Sequence, residues 1–173
     1  MIRITLEPLA RIRVDGVVRP IRSDLAPVNT MSRDLWTAAG EAVAERLSNV
    51  GSLPVGGAII TPAGALPADF VIHVVVMSDD EPQTSTSVQR ALQNGLRRAS
   101  DFGMSSLAVP TLGIGVGNTE PEAAARALVE ILYDHLGEGR PPTELLISVP
   151  SPYEASLFEP LVEERARERG GRP

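Results

Sequence analysis

Ile2, Ile4 and Leu6 alternate with Arg3 and Thr5, the period-two pattern of a half-buried strand, and Val14–Ile21 supplies a second such segment. From Ser32 the spacing lengthens. Leu35, Ala39, Ala42, Val43 and Leu47 fall on one face of a single amphipathic helix, which the proline and glycines of Val50–Gly57 end. Ala58–Thr61 and Phe70–Val76 read as strands, and the second is apolar at consecutive positions, which predicts a central strand covered on both faces. Asp79–Ser87 reads as a polar loop. Val88, Ala91, Leu92, Gly95, Leu96, Ala99 and Phe102 mark a second helix closed at Gly103. Ser106–Val109 is a short strand ending at Pro110. After a glycine-rich run, Thr119 with Glu122 resembles a capping box for a third helix with Ala124, Leu128, Ile131, Leu132 and His135 on its apolar face. Leu145–Val149 is a further strand, and a closing helix starts near Tyr153 and passes through Leu157, Leu161 and Val162 into Glu-Arg repeats.

Strands alternating with helices predict an α/β chain, a three-layer α/β/α sandwich around a mixed, mostly parallel central sheet. The length of 173 residues suits one domain, expected over 1–168 with a disordered tail over 169–173. A hydrophobic share of 43% against 22% charged residues supplies a sizeable core and argues against wholesale disorder.

Composition then narrows the chemistry. There is no cysteine, which excludes disulfides, thiolate nucleophiles and Cys-held metals, and every basic residue is Arg, which excludes a P-loop or Schiff-base lysine. With only His73 and His135, a multi-histidine metal site is not expected, nor is a resident cofactor. A formal charge of -6 and aromatics at 3% argue against binding a nucleic acid polymer. The longest apolar run, Phe70–Met77, is far below the ~20 residues of a membrane span, and no secretory leader precedes the first strand, so a cytoplasmic location without membrane contact is the default expectation.

In open α/β sheets ligands bind beyond the carboxyl ends of strands, and two loops there carry candidate chemistry. The first is Pro110–Asn118, where Gly113, Gly115 and Gly117 alternate with Ile114 and Val116. Such spacing lets backbone N–H groups turn to a common centre and lets a phosphate approach without Cβ obstruction, with the dipole of the following helix adding positive potential. The G-x-G-x-G spacing departs from the dinucleotide fingerprint, and no acidic residue follows at the required distance. The second is Arg19–Met31, in which Arg22 can pair with phosphate and Asn29 or Thr30 can donate to a ribose or phosphate; Thr30 or Ser32 acting as a helix cap is the plainer reading.

Other residues have ordinary explanations. His73, between apolar neighbours, reads as a hydrogen-bonded core histidine, and His135 as an imidazolium suited to a helix C-terminus. Trp36 reads as core or interface packing before ligand contact, Asp79-Asp80-Glu81 as a solvated loop, and Glu163–Arg169 as a solvated helix face.

Several segments together resemble a macro domain. Gly56-Gly57-Ala58-Ile59-Ile60-Thr61 fits that family's G-x-A-x-x-T, Val71-Ile72-His73 its strand with I-H, and Pro110–Gly117 its bacterial P-A-L-G-T-G-V-G. Val14-Asp15-Gly16-Val17-Val18 is similar to V-D-A-I-V, and Ala38-Ala39-Gly40 to A-A-G, so the resemblance spans about residues 1–165. It implies an ADP-ribose site, with Gly113, Ile114, Gly115, Val116 and Gly117 on the diphosphate, Asn118 beside them as a further binding candidate, and the loop around Val28–Met31, with Asn29, Thr30 and Met31, on the distal ribose. Departures accompany it. Arg19-Pro20-Ile21-Arg22 replaces N-A-A-N, Val28-Asn29-Thr30-Met31 replaces G-G-G-V, Pro8 stands where an acidic residue contacts the adenine amine, with Glu7 next to it, and the aromatic the family often places after its last strand is replaced near Ser148 and Val149.

Losing a positioning asparagine typically costs catalysis by orders of magnitude, which leans against efficient removal of ADP-ribose from proteins. Arg22 would instead bring charge to the pocket and clamp a phosphate. The expectation is a domain that binds ADP-ribose or a related nucleotide diphosphate. Two alternatives stand beside it: a hydrolase of ADP-ribosyl or O-acetyl-ADP-ribose esters using a bound water, and a scaffold without ligand that serves self-assembly as a homo-oligomer or contacts other proteins.

Overall fold

Six strands form one sheet in the computed structural model, which describes residues 1–170: β1 (Ile2–Thr5), β2 (Gly16–Arg22), β3 (Ala58–Pro62), β4 (Phe70–Met77), β5 (Ser106–Pro110) and β6 (Glu144–Ser148). Their order is β1-β6-β5-β2-β4-β3. All neighbours are parallel except β3, which runs antiparallel to β4 along the edge. The five helices are α1 (Thr30–Ala39), α2 (Glu41–Ser48), α3 (Ser85–Asp101), α4 (Pro121–Gly137) and α5 (Pro152–Gly170). The mixed, mostly parallel sheet and its layers agree with the sequence pattern.

The alternation of side chains along the central strands builds two cores. Ile72, Val74 and Val76 of β4, with Val18, Leu107, Val109, Leu145 and Ile147, pack under α3, α4 and α5. Val71 joins Val17 and Ala108 beneath Leu35 and Ala39 of α1 and Val43 of α2. Both faces of β4 are therefore dry, which is why it reads as a continuous apolar run.

Local chemistry moved several boundaries. The single helix expected from Ser32 is two helices, because Gly40 takes φ +88, a left-handed conformation that ends α1 and turns the chain into α2. The loop expected over Asp79–Ser87 ends earlier, since Thr84 accepts from the Ser87 amide and Ser87 reciprocates on the Thr84 amide, a capping box that opens α3 at Ser85. The box expected at Thr119 and Glu122 does not form: Glu120 is the N-cap without a side-chain bond, Pro121 starts α4, and Thr119 instead bonds the Ser85 hydroxyl at 2.9 Å. At the C-terminus α5 continues to Gly170, with Arg169 stacked on the Tyr133 ring at 5.5 Å; positions 171–173 of the expected tail lie outside the described residues. Among those residues no helix is long and apolar enough to cross a membrane.

Candidate functional site

Parallel strands deliver their carboxyl ends to one edge of the sheet, and there a cavity of ≈ 660 Å³ opens across β1, β6, β5 and β2. Its centre is the loop after β5. Leu6, Pro8 and Leu9, following β1, and Val149 and Pro150, following β6, form one end; Pro20, Val28, Asn29, Met31 and Asp34, around β2 and α1, form the other. The strand order thus fixes a tripartite crevice with the glycine loop in the middle.

In that loop Gly113 (φ +90) and Gly115 (φ +76) occupy the left-handed region, which a side chain would strain. The Leu112 amide bonds the Pro110 carbonyl and the Val116 amide the Gly113 carbonyl. The amides of Gly113, Ile114 and Gly115 donate to no partner among the described residues, and all three residues line the cavity. An anion placed there would meet a set of ready donors without displacing any internal bond. Of this loop only residues up to Val116 line the cavity, and α4, whose dipole was expected to act at the same point, contributes no residue to the lining; the first turn of α1 borders it instead. Asn29 caps α1 by accepting from the Ser32 amide at 2.9 Å.

Of the residues singled out from sequence, Asn29, Met31, Gly113, Ile114, Gly115 and Val116 come together around the cavity. Thr30, Gly117 and Asn118 are exposed and outside its lining. Arg22 is outside as well, which corrects the expectation that it brings charge to the pocket. The register of β2 on β4 shifts after Ile21, and the Arg22 guanidinium meets the Asp79 carboxylate and lies 3.7 Å from Asp24. Two carboxylates outside the cavity hold it.

Arg19 has a different fate. It pairs in register with His73 on the face covered by α1 and is 1% exposed. Nε donates to the Ser32 carbonyl at 2.9 Å, Nη1 donates to His73 Nδ1 at 3.2 Å, and the guanidinium stacks over Trp36 at 4.6 Å. Nη2 finds no acceptor among the described residues. Because Arg has only donors, His73 Nδ1 must accept, which places the ring proton on Nε2, where it donates to Thr61 Oγ1 at 2.9 Å. Burial and, after it, the Arg19 charge push the His73 pKa down to about 3, while burial lowers that of Arg19 to about 10. His73 is the bonded core histidine its neighbours predicted. His135 is not the expected imidazolium: it is buried against the Pro142 carbonyl at 3.1 Å, and desolvation lowers its pKa.

Sequence reasoning missed the charged residues of the cavity. Among the described residues the lining holds two, Asp34 and Glu154, and neither is a cation. Glu154 lies in the first turn of α5, just beyond β6, where the same strand-end rule would have found it had the search included that loop. Glu7 is exposed and outside the lining.

The model of the macro domain family matches residues 19–128, more than half of the chain. An uncharacterised protein of Aeropyrum pernix is 33% identical over 129 residues, covering 73% of this chain and 67% of its own. An O-acetyl-ADP-ribose deacetylase of Enterobacter cloacae is 28% identical over 166 residues, 92% of each chain. The Oceanobacillus iheyensis macrodomain solved with ADP superposes with a TM-score of 0.80 at 20% identity, covering 95% of this chain and 91% of its own, a likeness of fold.

Proposed function

The chain belongs to the macro domain family, and from that premise we propose that its cavity binds ADP-ribose or a related nucleotide diphosphate. The observation that carries the reading is the set of unpaired amides at Gly113, Ile114 and Gly115 in the middle of a crevice whose two ends differ. Amide donors suit a diphosphate in the centre. The end at Leu6, Leu9 and Val149 supplies apolar walls for a base, and Asn29 and Asp34 supply polar groups for a sugar. The solved relative in complex with ADP and the deacetylase relative named for O-acetyl-ADP-ribose support the same ligand class.

A second reading is hydrolysis of an ester of ADP-ribose, favoured by the deacetylase relative. Among the described residues no arginine lines the cavity, and Asp34 is the carboxylate at the sugar end that can take a proton from a bound water. Titration calorimetry with ADP-ribose tests the binding reading. Heat of binding with a 1:1 stoichiometry supports it, and absence of both heat and thermal stabilisation at millimolar ligand overturns it, since any ligand of the native state stabilises by mass action. Release of acetate from O-acetyl-ADP-ribose that disappears in Asp34→Asn supports the second reading.

A further inference from the structure

We propose that Arg19 is a positioning residue for the sugar end of the cavity. By holding the first turn of α1 from behind, it sets the affinity for whatever group the ligand carries beyond its diphosphate. The proposal rests on the reading of the cavity as a nucleotide diphosphate site. Arg19 is not in the cavity lining and acts through Ser32, which is fully buried and bonded three ways. The Ser32 amide donates to Asn29 Oδ1 at 2.9 Å, its hydroxyl donates to the Pro20 carbonyl at 2.6 Å, and its carbonyl accepts from Arg19 Nε at 2.9 Å. Pro20, Asn29, Met31, Asp34 and Leu35, all close to Ser32 or bonded to it, line the cavity.

Stability alone does not account for a guanidinium in this place. Its hydrogen bonds run to neutral acceptors, the Ser32 carbonyl and His73 Nδ1, and Nη2 has none among the described residues. A buried charge so placed is costly, and a well-packed apolar framework would avoid the cost. What the guanidinium adds is direction. Its plane is stacked on Trp36 at 4.6 Å, and Nη1 is held by His73, whose ring is fixed in turn by Thr61 at 2.9 Å. Three adjacent strands, β2 through Arg19, β4 through His73 and β3 through Thr61, thus aim Nε at one carbonyl of α1. A wall held in this way is ordered before the ligand arrives, so binding a sugar against it does not have to freeze the turn. The amides of Gly113–Gly115 belong to the loop after β5 and do not depend on this chain of bonds.

The test is calorimetry of the full chain with ADP-ribose and with ADP, which lacks the distal sugar, in the parent, Arg19→Lys and Ser32→Ala. Arg19→Lys keeps the charge and removes the planar fork; Ser32→Ala keeps Arg19 and cuts the hydroxyl link to Pro20. Affinity for ADP-ribose is expected to fall about tenfold in Arg19→Lys and about threefold in Ser32→Ala, while affinity for ADP stays within about twofold. A smaller folded fraction would weaken both ligands alike, so the ratio of the two affinities separates positioning from mere stability. An unchanged ratio in Arg19→Lys overturns the role of Arg19 and leaves the nucleotide reading standing. Should that variant not fold, an unchanged ratio in Ser32→Ala does the same. Failure of both ligands to bind the parent overturns the nucleotide reading and this proposal with it.

Discussion

His73 makes folding depend on a proton that the native state refuses. Its pKa is about 3 in the folded chain, against about 6.5 when unfolded, so between these values the unfolded state binds a proton that the native state does not. The stabilisation is complete above pH 6.5, is lost progressively as pH falls toward 3, and changes no further below that. At pH 5.5 the unfolded imidazole is about ten-to-one protonated, and the loss relative to pH 7.5 is about 1.4 kcal/mol.

The perturbation that isolates this effect is His73→Gln. At pH 7.5 the variant is expected to be less stable than the parent by about 1–3 kcal/mol, because Arg19 Nη1 and Thr61 Oγ1 lose well-placed buried partners. At pH 5.5 that gap is expected to narrow by about 1.4 kcal/mol, since only the parent carries the linkage. His135, whose pKa is also lowered, is present in both proteins and cancels. Urea unfolding followed by circular dichroism at the two pH values measures the gap. A gap that is constant or widens on acidification would refute the neutral, proton-excluding assignment of His73.

Further outcomes follow from the cavity. Gly115→Val places a side chain at φ +76, where nothing stands within 4 Å of the added Cβ, so stability should fall by about 1–2 kcal/mol while ADP-ribose affinity drops tenfold or more by calorimetry. Arg22→Asn should leave ADP-ribose affinity within about twofold, because its guanidinium is held by Asp24 and Asp79 outside the cavity; a tenfold loss would contradict that placement. Asp34→Asn should raise the affinity for ADP relative to ADP-ribose severalfold at low salt, since a terminal phosphate loses a repelling carboxylate while a sugar does not. Arg19→Met should cost about 3 kcal/mol or more in thermal unfolding, leaving the Ser32 carbonyl and His73 Nδ1 without their donor.

What the sequence disclosed tracks the range of the interactions involved. β4 and the glycine loop were legible because burial on both faces and left-handed backbone are written in consecutive residues. The split at Gly40 was hidden by the core itself: Leu35, Ala39 and Val43 all face the same cluster, so the apolar spacing continues across a break in the helix. Thr119 offered a cap by local pattern, and a hydroxyl from Ser85, distant in sequence, took it. Glu154 belongs to the cavity only because β1 docks on β6, pairing Thr5 with Ser148 across nearly the whole chain. No local pattern carries that neighbour relation.

The two arginines that replace the family's asparagines separate function from framework in a way their letters do not. Arg19 and Arg22 are three positions apart, so a regular strand would turn them to opposite faces, and the shift after Ile21 pairs the second with Met77 of β4 in place of Val76. Arg19 holds the Ser32 carbonyl while the Ser32 hydroxyl donates to the Pro20 carbonyl, tying the first turn of α1 to β2 where Pro20, Asn29 and Met31 border the cavity. A buried cation there costs desolvation, which stacking on Trp36 and a histidine kept neutral offset in part. The cavity itself keeps two carboxylates and a row of amides. If the cavity receives a nucleotide diphosphate as proposed, such a set is expected to favour phosphates that carry one charge each and are closed at both ends by hydrogen-bond donors, over a terminal phosphate with two. On that proposal the local amides and carboxylates, and not the net charge of the chain, set which anions the cavity receives.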